Sequence, residues 1–146
     1  MVKVIIKKLN SSVQLPTYKT DGASGMDLMA YLEKPINLEP GKSCLVPTGL
    51  SVAFPKDYEI QIRPRSGLAA KNNISVLNAP GTIDSDYRGE ISVLIINLSK
   101  IDFIIARGMR VAQIIFNKIE KVDLKASVEL DNTLRGEKGF GSTGLN

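Results

Sequence analysis

The sequence of 146 residues contains no histidine, no tryptophan and a single cysteine. Without histidine, the chain lacks the usual general base near neutral pH and the commonest metal ligand. Any acid–base chemistry must therefore use a carboxylate, a lysine or a tyrosine, and any catalytic metal must be a hard ion held by oxygen atoms. The single cysteine, Cys44, excludes an internal disulfide and a cysteine-rich zinc site.

Long apolar runs are also missing. No stretch approaches the length needed to span a bilayer, and MVKVIIKKLN at the start lacks the apolar core and cleavage segment of a secretory signal. With the lone cysteine, this predicts a cytoplasmic protein without a membrane partner. The net charge of +4 is carried by scattered lysines, and the chain has only four phenylalanines. We therefore expect no stable nucleic-acid partner.

Short stretches that alternate apolar and polar residues dominate the sequence. YEIQIRP, residues 58–64, is typical of a strand with one face in solvent. Further β-branched runs are KVIIKKL, SCLVPTGLSVAF, ISVLIINLS, DFIIA and RVAQIIFNKI, separated by turn sequences such as EPGK, FPKD and ARGM. Only SGLAAKNN, residues 66–73, favours a helix, with Ser66 as its N-cap. The pattern predicts an all-β sandwich, barrel or jelly roll with one short helix.

The end of the chain differs in composition from the rest. LRGEKGFGSTGLN, residues 134–146, contains Gly136, Gly139, Gly141 and Gly144, four of the 12 glycines. Such a segment buries little surface and resists regular structure. We therefore predict a single β domain over residues 1–133, followed by a flexible glycine-rich C-terminal arm over residues 134–146.

Two segments combine small residues with groups that bind ions. In PRSGLA, Arg65, Ser66 and Gly67 follow a strand, so that a guanidinium, a hydroxyl and backbone amides offer an anion site. An ordinary helix N-cap is the alternative. In DGASGMDLMA, Asp27 stands at the head of a strand. It is either a solvated turn residue or the holder of a water in a magnesium shell, since magnesium commonly keeps several waters.

Two further segments place polar residues beside apolar strands. Gln113 lies within RVAQIIF and needs a hydrogen-bond partner, for which a structural contact is the usual explanation. GTIDSDYRGE crowds Asp84, Asp86 and Glu90 in front of the apolar run ISVLII. Acidic side chains so close together repel one another unless a cation or a hydrogen-bond donor compensates. Such a cluster beside a buried strand indicates a functional site.

In order along the chain, DGASGMDLMA, PRSGLA, LNAPGTIDSDYRGE, RVAQIIF and RGEKGFGSTG resemble the five motifs of the trimeric dUTP diphosphatases (dUTPases). The resemblance extends from about residue 15 to residue 144. It implies a β jelly roll that forms a homotrimer with active sites at the subunit interfaces. It also implies magnesium-dependent (Mg2+) hydrolysis of dUTP to dUMP and pyrophosphate, which limits uracil in DNA and supplies dUMP for thymidylate synthesis.

The resemblance implies roles for the residues of the third motif. Asp84 would be the general base that activates water for attack on the α-phosphorus. Tyr87 would pack on the deoxyribose and disfavour a ribose 2′-hydroxyl. Asn78 would read the uracil edge together with the 77–83 hairpin. The hairpin residues expected at the base are Gly81, Thr82 and Ile83.

The other motifs would complete the site from neighbouring subunits. Asp27 would contact the magnesium ion through water. The residues expected at the phosphates from a second subunit are Arg65, Ser66, Gly67 and Gln113. The arm of another subunit would cover the base with Phe140. The arm residues expected near the terminal phosphate are Arg135, Gly141, Ser142 and Thr143.

Some residues depart from the motifs or stay without a role. Lys138 replaces a usual glycine and Ser24 a usual alanine, and we expect Lys138 to tune closure of the arm. We predict that Asp86, Arg88 and Glu90 are mainly structural, paired with each other or with a neighbouring subunit.

Two alternative functions stay open. A dCTP deaminase, or a bifunctional deaminase and diphosphatase, shares the fold and much of the phosphate site, but the intact TIDSDYRGE and GFGSTG favour the diphosphatase. A non-enzymatic β-sandwich for binding or assembly explains the strands but leaves the five polar segments without a role.

Overall fold

The period-two pattern folds into strands, and the computed structural model describes residues 2–139. Within that range, eleven strands and one helix follow one another along the chain. Their bounds are β1 Ile5–Lys8, β2 Met26–Met29, β3 Ile36–Leu38, β4 Ser43–Pro47, β5 Leu50–Ala53, β6 Tyr58–Arg63, α1 Ser66–Asn72, β7 Ile74–Val76, β8 Gly81–Ile83, β9 Ser92–Asn97, β10 Phe103–Ile105 and β11 Arg110–Lys118. The predicted all-β fold with one short helix is confirmed.

The strands form four antiparallel sheets around one apolar core. The largest sheet has the order β2–β11–β6–β8, and a second has the order β4–β9–β7. The pairs β1–β5 and β3–β10 complete the structure. Alternate residues of β6 and β9, such as Ile60, Ile62, Val93 and Ile95, are buried in the core. The polar neighbours of the β6 residues consequently lie on the opposite face of their sheet. In β9 the alternate residues Leu94 and Ile96 are apolar and half-buried.

The three turns predicted from EPGK, FPKD and ARGM are present. Each is closed by a backbone hydrogen bond of 3.1 Å from an N–H to the carbonyl three residues earlier, as from Met109 to Ala106. At FPKD this bond runs from Tyr58 to Pro55, so the turn lies one residue further along than its sequence. Gly41 and Gly108 have φ angles of 73° and 80°. Since an L side chain is strained in this left-handed region, glycine is needed at both positions.

The corner between β4 and β5 is packed against the start of the chain. Gly49 has a φ of +71°, and a Cβ atom added there would lie 2.5 Å from Val13 Cγ2 and 3.2 Å from the Tyr31 ring. Gly49 also accepts a 2.8 Å hydrogen bond from the Leu9 N–H. The backbone of this corner is therefore held in place from two sides.

Two sequence-based expectations about local structure are wrong. Ser66 is the first residue of α1 rather than its N-cap, and the N-cap residue Arg65 makes no side-chain capping bond. Arg65 instead uses its side chain in an ion pair. Residues 77–83 are not a hairpin, because β7 pairs with β9 and β8 pairs with β6. This segment crosses from one sheet to the other, and strands of three residues are too short to show a periodicity.

The chain beyond β11 lies apart from the core. Residues 120–139 are all exposed and contain no helix or strand. Their five large apolar side chains have exposed fractions between 75% and 106% of the reference value. These side chains are Val122, Leu124, Val128, Leu130 and Leu134. The domain boundary at residue 133 stays a prediction, since the exposed chain already begins at residue 120. Within residues 2–139, no helix has the length and apolar character of a membrane span.

Candidate active site

A cleft beside β8 contains the residues expected at the nucleoside. One cavity of about 310 Å³ is lined by Asp84, Tyr87 and Glu90. An adjacent cavity of about 200 Å³ is lined by Asn78 and Gly81. Both cavities share one wall, made of Leu45, Thr82, Ile83 and Ser92. We call the two cavities together the Asp84 cleft. The structure thus brings all six predicted nucleoside residues to one place.

The sheet fixes the backbone of this cleft. β8 pairs with β6 through Gly81 opposite Ile62 and Ile83 opposite Ile60. A Cβ atom on Gly81 would lie 3.1 Å from the Asn78 amide nitrogen, so a glycine lets that side chain lie directly against the strand. Asp84 follows the last residue of β8 and is exposed. Its carboxylate therefore stands at the end of a fixed strand and lines the cavity.

Two charged side chains of GTIDSDYRGE, those of Arg88 and Glu90, bond to backbone groups. Glu90 Oε1 accepts a 2.6 Å hydrogen bond from the Gly49 N–H. Arg88 NH1 donates to the carbonyls of Ser85 and Tyr87, at 2.7 and 2.8 Å. Arg88 and Glu90 therefore do not pair with each other within the chain, and their pairing with a neighbouring subunit stays a prediction. Backbone groups, which a sequence pattern does not reveal, provide their partners.

A second cluster joins three charged side chains. Arg65 Nε donates to Asp27 Oδ1 at 2.9 Å, and Arg110 NH1 lies 3.6 Å from Asp27 Oδ2. Arg65 NH1 also donates to the Arg110 carbonyl at 3.2 Å. The Asp27 side chain is only 11% exposed. These are the only ion pairs among residues 2–139. We call Asp27, Arg65 and Arg110 the Asp27 cluster.

The predicted phosphate residues lie next to this cluster. Gln113 of β11 is the cross-strand partner of Asp27 on one side and of Arg63 on the other. Directly opposed residues project from the same face of a sheet, so Gln113 lies beside Asp27 on that face. Ser66 and Gly67 follow Arg65 at the start of α1. The four phosphate residues expected from a second subunit thus lie in or next to the strands and turn that hold the expected metal residue, Asp27.

The cleft and the cluster are at opposite edges of the same sheet. Asp27 is on β2 and the cleft is beside β8, with β11 and β6 between them. Neighbouring strands are about 4.8 Å apart, which separates the two edges by roughly 14 Å. No residue of the Asp27 cluster lines the Asp84 cleft. A single chain therefore does not join its nucleoside residues to its phosphate residues in one cavity.

Only one predicted arm residue lies in the described part of the chain. Arg135 Nε donates to the Lys138 carbonyl at 3.0 Å, within a turn in which Gly136 has a φ of +53°. The remaining predicted arm residues lie outside the described residues. They are Phe140, Gly141, Ser142 and Thr143.

Two contributors to the site were missed by the sequence reasoning. The sequence indicates no role for Arg110, because its pairing with Asp27 depends on the register of β2 and β11. Leu45 lines both cavities from β4, which carries none of the five motifs. Its 61% exposure is the only sign that it faces away from the core, and a sequence does not show exposure.

Comparisons with known proteins show which sequences the chain resembles. The dUTPase family model matches residues 11–144. The deoxyuridine 5′-triphosphate nucleotidohydrolase of Rickettsia bellii (strain OSU 85-389) is 53% identical over 146 residues, which are 99% of this chain and 97% of the relative. The enzyme of the same name from Rickettsia massiliae (strain Mtu5) is 54% identical, with 99% of both chains covered.

Solved structures share the fold at lower identity. The dUTPase of Staphylococcus bacteriophage 80alpha with dUPNHPP has a TM-score of 0.84 and 24% identity, covering 98% of this chain and 99% of that one. A mutant dUTPase of the S. aureus phage phi11, a structure that concerns the coordination of a structural Mg(II) ion, has a TM-score of 0.78 and 21% identity. It covers 87% of this chain and 97% of its own.

These structural matches place the protein in the class of β proteins with the dUTPase fold. The family model and the Rickettsia relatives are more specific, because they match almost the whole sequence. The chain belongs to the dUTPase family. The family expected from the five motifs is thereby confirmed.

Proposed function

We propose that the protein hydrolyses dUTP to dUMP and pyrophosphate, with Asp84 as the general base. The observation that carries this proposal is the Asp84 cleft, where an exposed carboxylate stands next to the residues expected at a nucleoside. A chain without histidine has to use such a group to accept a proton from water. Asp84 takes that proton as the water attacks the α-phosphorus.

The cleft selects a uracil deoxynucleoside by shape and hydrogen bonding. Asn78 and the backbone of β8 read the uracil edge, and the close packing of Asn78 against Gly81 leaves little room for a C5 methyl group. Thr82 and Ile83 form the wall between the base and the sugar. Tyr87 packs on the deoxyribose. A ribose would bring its 2′-hydroxyl into collision with the ring.

The Asp27 cluster is suited to binding phosphates. A guanidinium has five N–H donors. Arg65 gives one to Asp27 and one to the Arg110 carbonyl, which leaves the others for phosphate oxygens. Because Asp27 already holds Arg65 in place, little side-chain entropy remains to be lost when a phosphate binds. Ser66, Gly67 and Gln113 add a hydroxyl, backbone amides and a side-chain amide to the same site.

Magnesium fits this site only through water. Residues 2–139 contain no group of three or more side chains able to hold a metal ion. Both oxygens of Asp27 face a guanidinium, and two adjacent positive charges oppose direct binding of a divalent cation. The remaining lone pairs of the carboxylate can accept hydrogen bonds from metal-bound waters, with the triphosphate as the main ligand. When bound, the ion neutralises phosphate charge that would otherwise repel the attacking water.

A homotrimer completes the site, because one chain keeps its two halves at opposite edges of a sheet. The exposed segment after β11 supports association between copies, since its five large apolar side chains are each at least 75% exposed. Burying them against another copy removes apolar surface from water. A closed ring of identical subunits provides every cleft with a cluster from its neighbour.

The C-terminal arm of another subunit closes each site in this proposal. Arg135 and Ser142 with Thr143 bind the terminal phosphate, Phe140 covers the base, and Gly141 lets the backbone come close to the substrate. Closure excludes bulk water and commits the substrate to reaction. The proposed compartment is the cytoplasm.

The decisive experiment assays pyrophosphate release from dUTP, dCTP, dTTP and UTP, with and without magnesium. We expect release from dUTP alone, dependent on the ion, and no ammonia from dCTP, the product of a deaminase. The Asp84→Asn variant should lower kcat by about a thousandfold, because a general base typically contributes 10²- to 10⁴-fold. Binding of a non-hydrolysable dUTP analogue should be retained. Undiminished dUMP production by this variant would contradict the proposal.

A further inference from the structure

The Tyr87 ring is held in place by the two residues that follow Arg88. Its hydroxyl donates a 3.0 Å hydrogen bond to the Glu90 carbonyl. The ring lies over Gly89, where an added Cβ atom would be 2.5 Å from Tyr87 Cζ and would overlap the hydroxyl. Gly89 does not have a positive φ in this structure, so its small size matters here rather than its backbone freedom. The ring position therefore depends on where the backbone of residue 90 lies.

The Glu90 carbonyl shares a peptide unit with the Ile91 N–H, which donates to the Leu50 carbonyl at 2.7 Å, and the Glu90 side chain adds a second anchor to this backbone. The side-chain hydrogen bonds of Tyr87 and Arg88 stay within residues 84–90. In contrast, Glu90 Oε1 accepts the Gly49 N–H at 2.6 Å and so joins this loop to the β4–β5 corner. A hydrogen bond to a charged acceptor is among the stronger ones in proteins. Among the described residues, this contact is the side-chain bond that connects the loop to the rest of the molecule.

The other end of this connection is rigid. Gly49 has a positive φ, and its α-carbon is packed against Val13 and Tyr31. The residue after Glu90, Ile91, donates to the Leu50 carbonyl at 2.7 Å and accepts from the Thr48 hydroxyl at 2.6 Å. The Gly49 N–H is therefore a fixed donor. The contact holds Glu90 against the core from which β4 and β5 emerge.

We propose that Glu90 is a positioning residue that determines the preference for deoxyribose over ribose. It acts through Tyr87, because its carboxylate helps to hold the carbonyl that accepts the hydrogen bond of the tyrosine hydroxyl. Without this contact the ring moves and a 2′-hydroxyl is tolerated. The inference rests on the proposed function, in which Tyr87 packs on the sugar. If the Glu90 bond only stabilised the loop, its loss would not change the preference for deoxyribose. The inference predicts that it does.

The test compares Glu90→Ala and Glu90→Gln, with Glu33→Ala as a matched control at an exposed glutamate outside the site. The measured quantity is the ratio of kcat/KM for dUTP to that for UTP. Glu90→Ala should lower this ratio by about tenfold, the order expected for loss of one hydrogen bond. Glu90→Gln keeps an acceptor oxygen for the Gly49 N–H and should restore most of the ratio. Glu33→Ala should leave it unchanged.

Fluorotyrosine NMR provides a readout that does not depend on turnover. The chain has four tyrosines, so the Tyr87 signal can be assigned with Tyr87→Phe. We expect this signal to shift or broaden in Glu90→Ala and to keep its position in Glu90→Gln. Should Glu90→Ala fail to fold, Gly89→Ala displaces the ring directly and should lower the dUTP-to-UTP ratio in the same way.

The outcomes separate this inference from the proposed function. A wild-type protein that does not hydrolyse dUTP overturns both. A wild-type protein that does so, with an unchanged dUTP-to-UTP ratio in folded Glu90→Ala, overturns only the role of Glu90. An unchanged ratio in Gly89→Ala overturns the role of the Tyr87 ring at the sugar, and the role of Glu90 with it. A ratio that falls equally in Glu90→Ala and Glu90→Gln also overturns it, because the lost charge would then matter rather than the hydrogen bond.

Discussion

The two halves of the candidate site are organised in different ways. The Asp84 cleft is held by a strand ladder and by bonds to backbone groups, and its key carboxylate is exposed. The Asp27 cluster is held by ion pairs between side chains, and its carboxylate is almost buried. An uncharged base is distinguished by shape, which requires a fixed backbone. A triphosphate is bound by charge, which requires cations that already point in the right direction.

The two halves also differ in their position on the sheet. Side chains from β2, β11 and the N-cap of α1 form the cluster, and β8 lies beside the cleft at the far edge of the sheet. The separation of roughly 14 Å is too large for a single cavity but suits a ring of subunits, where the edge of one chain meets that of the next. The largest expected effects come from variants that disable one half at a time.

Mixing two inactive variants gives the largest effect. Asp84→Asn disables the cleft, and Arg65→Ala disables the cluster on the other edge. If each site joins two chains, co-refolding equal amounts creates sites with an intact cleft from one variant and an intact cluster from the other. In random trimers about a quarter of the sites have this combination, so about a quarter of wild-type activity should return.

The control for this experiment is a mixture of the double variant with Asp84→Asn, which contains no intact cleft. Gel filtration should show the same oligomer in every sample. Activity no greater than that of the separate variants would mean that one chain supplies both halves. It would contradict the proposal that each site combines the Asp84 cleft of one chain with the Asp27 cluster of another.

A smaller effect is expected from Asp27→Asn. The amide keeps an acceptor for Arg65 but removes the charge that holds both guanidiniums, so kcat/KM for dUTP should fall by about tenfold, the order of one charged hydrogen bond. The folded protein should also unfold at a lower temperature, because the partly buried Arg65 guanidinium loses its charged partner. Asp21→Asn, at an exposed aspartate of the same segment, is the control. Equal activity of the two variants would show that Asp27 does not organise the phosphate site.

The sequence was sufficient for the fold class because the signal is local. β6 is long enough for the alternation of Ile60 with Gln61 to predict which face is buried. β9 is apolar throughout residues 93–96, so its sequence predicts a strand but not the buried face. β3, β7 and β8 have three residues each and were missed or misassigned for lack of a period. Their assignment depends on pairing with distant strands, which no short segment encodes.

The site was predictable only as a set of segments. The five motifs in order indicated Asn78, Asp84 and Tyr87 as site residues, and all three line the Asp84 cleft. Contacts between distant parts of the chain were not predictable. The bond from Gly49 to Glu90 spans 41 residues, and Arg110 reaches Asp27 only through the register of β11 and β2.

The smallest expected effect concerns the core beneath the Asp84 cleft. Leu45 lines the cleft, and the preceding residue, Cys44, packs on the other face of β4 against the buried core. Burial raises the pKa of the Cys44 thiol, because desolvation disfavours the thiolate. If packing rather than charge maintains the cleft, this thiol should stay protonated and shielded at neutral pH. Cys44 is the only cysteine, so thiol labelling reports this position alone.

Alkylation of Cys44 by iodoacetamide at pH 8 should therefore be several-fold slower in the folded protein than in urea, since the thiolate is the reactive form. The raised pKa also affects stability. The contribution of the Cys44 thiol to the free energy of unfolding is present below the ordinary thiol pKa. It is lost as the pH rises through the pKa of the folded state, because the thiol of the unfolded chain ionises first. Cys44→Ala should remove that part of the pH dependence above pH 8. Equal labelling rates in the folded protein and in urea would show that water reaches the core beneath the cleft. Packing alone would then not account for the shape of the Asp84 cleft.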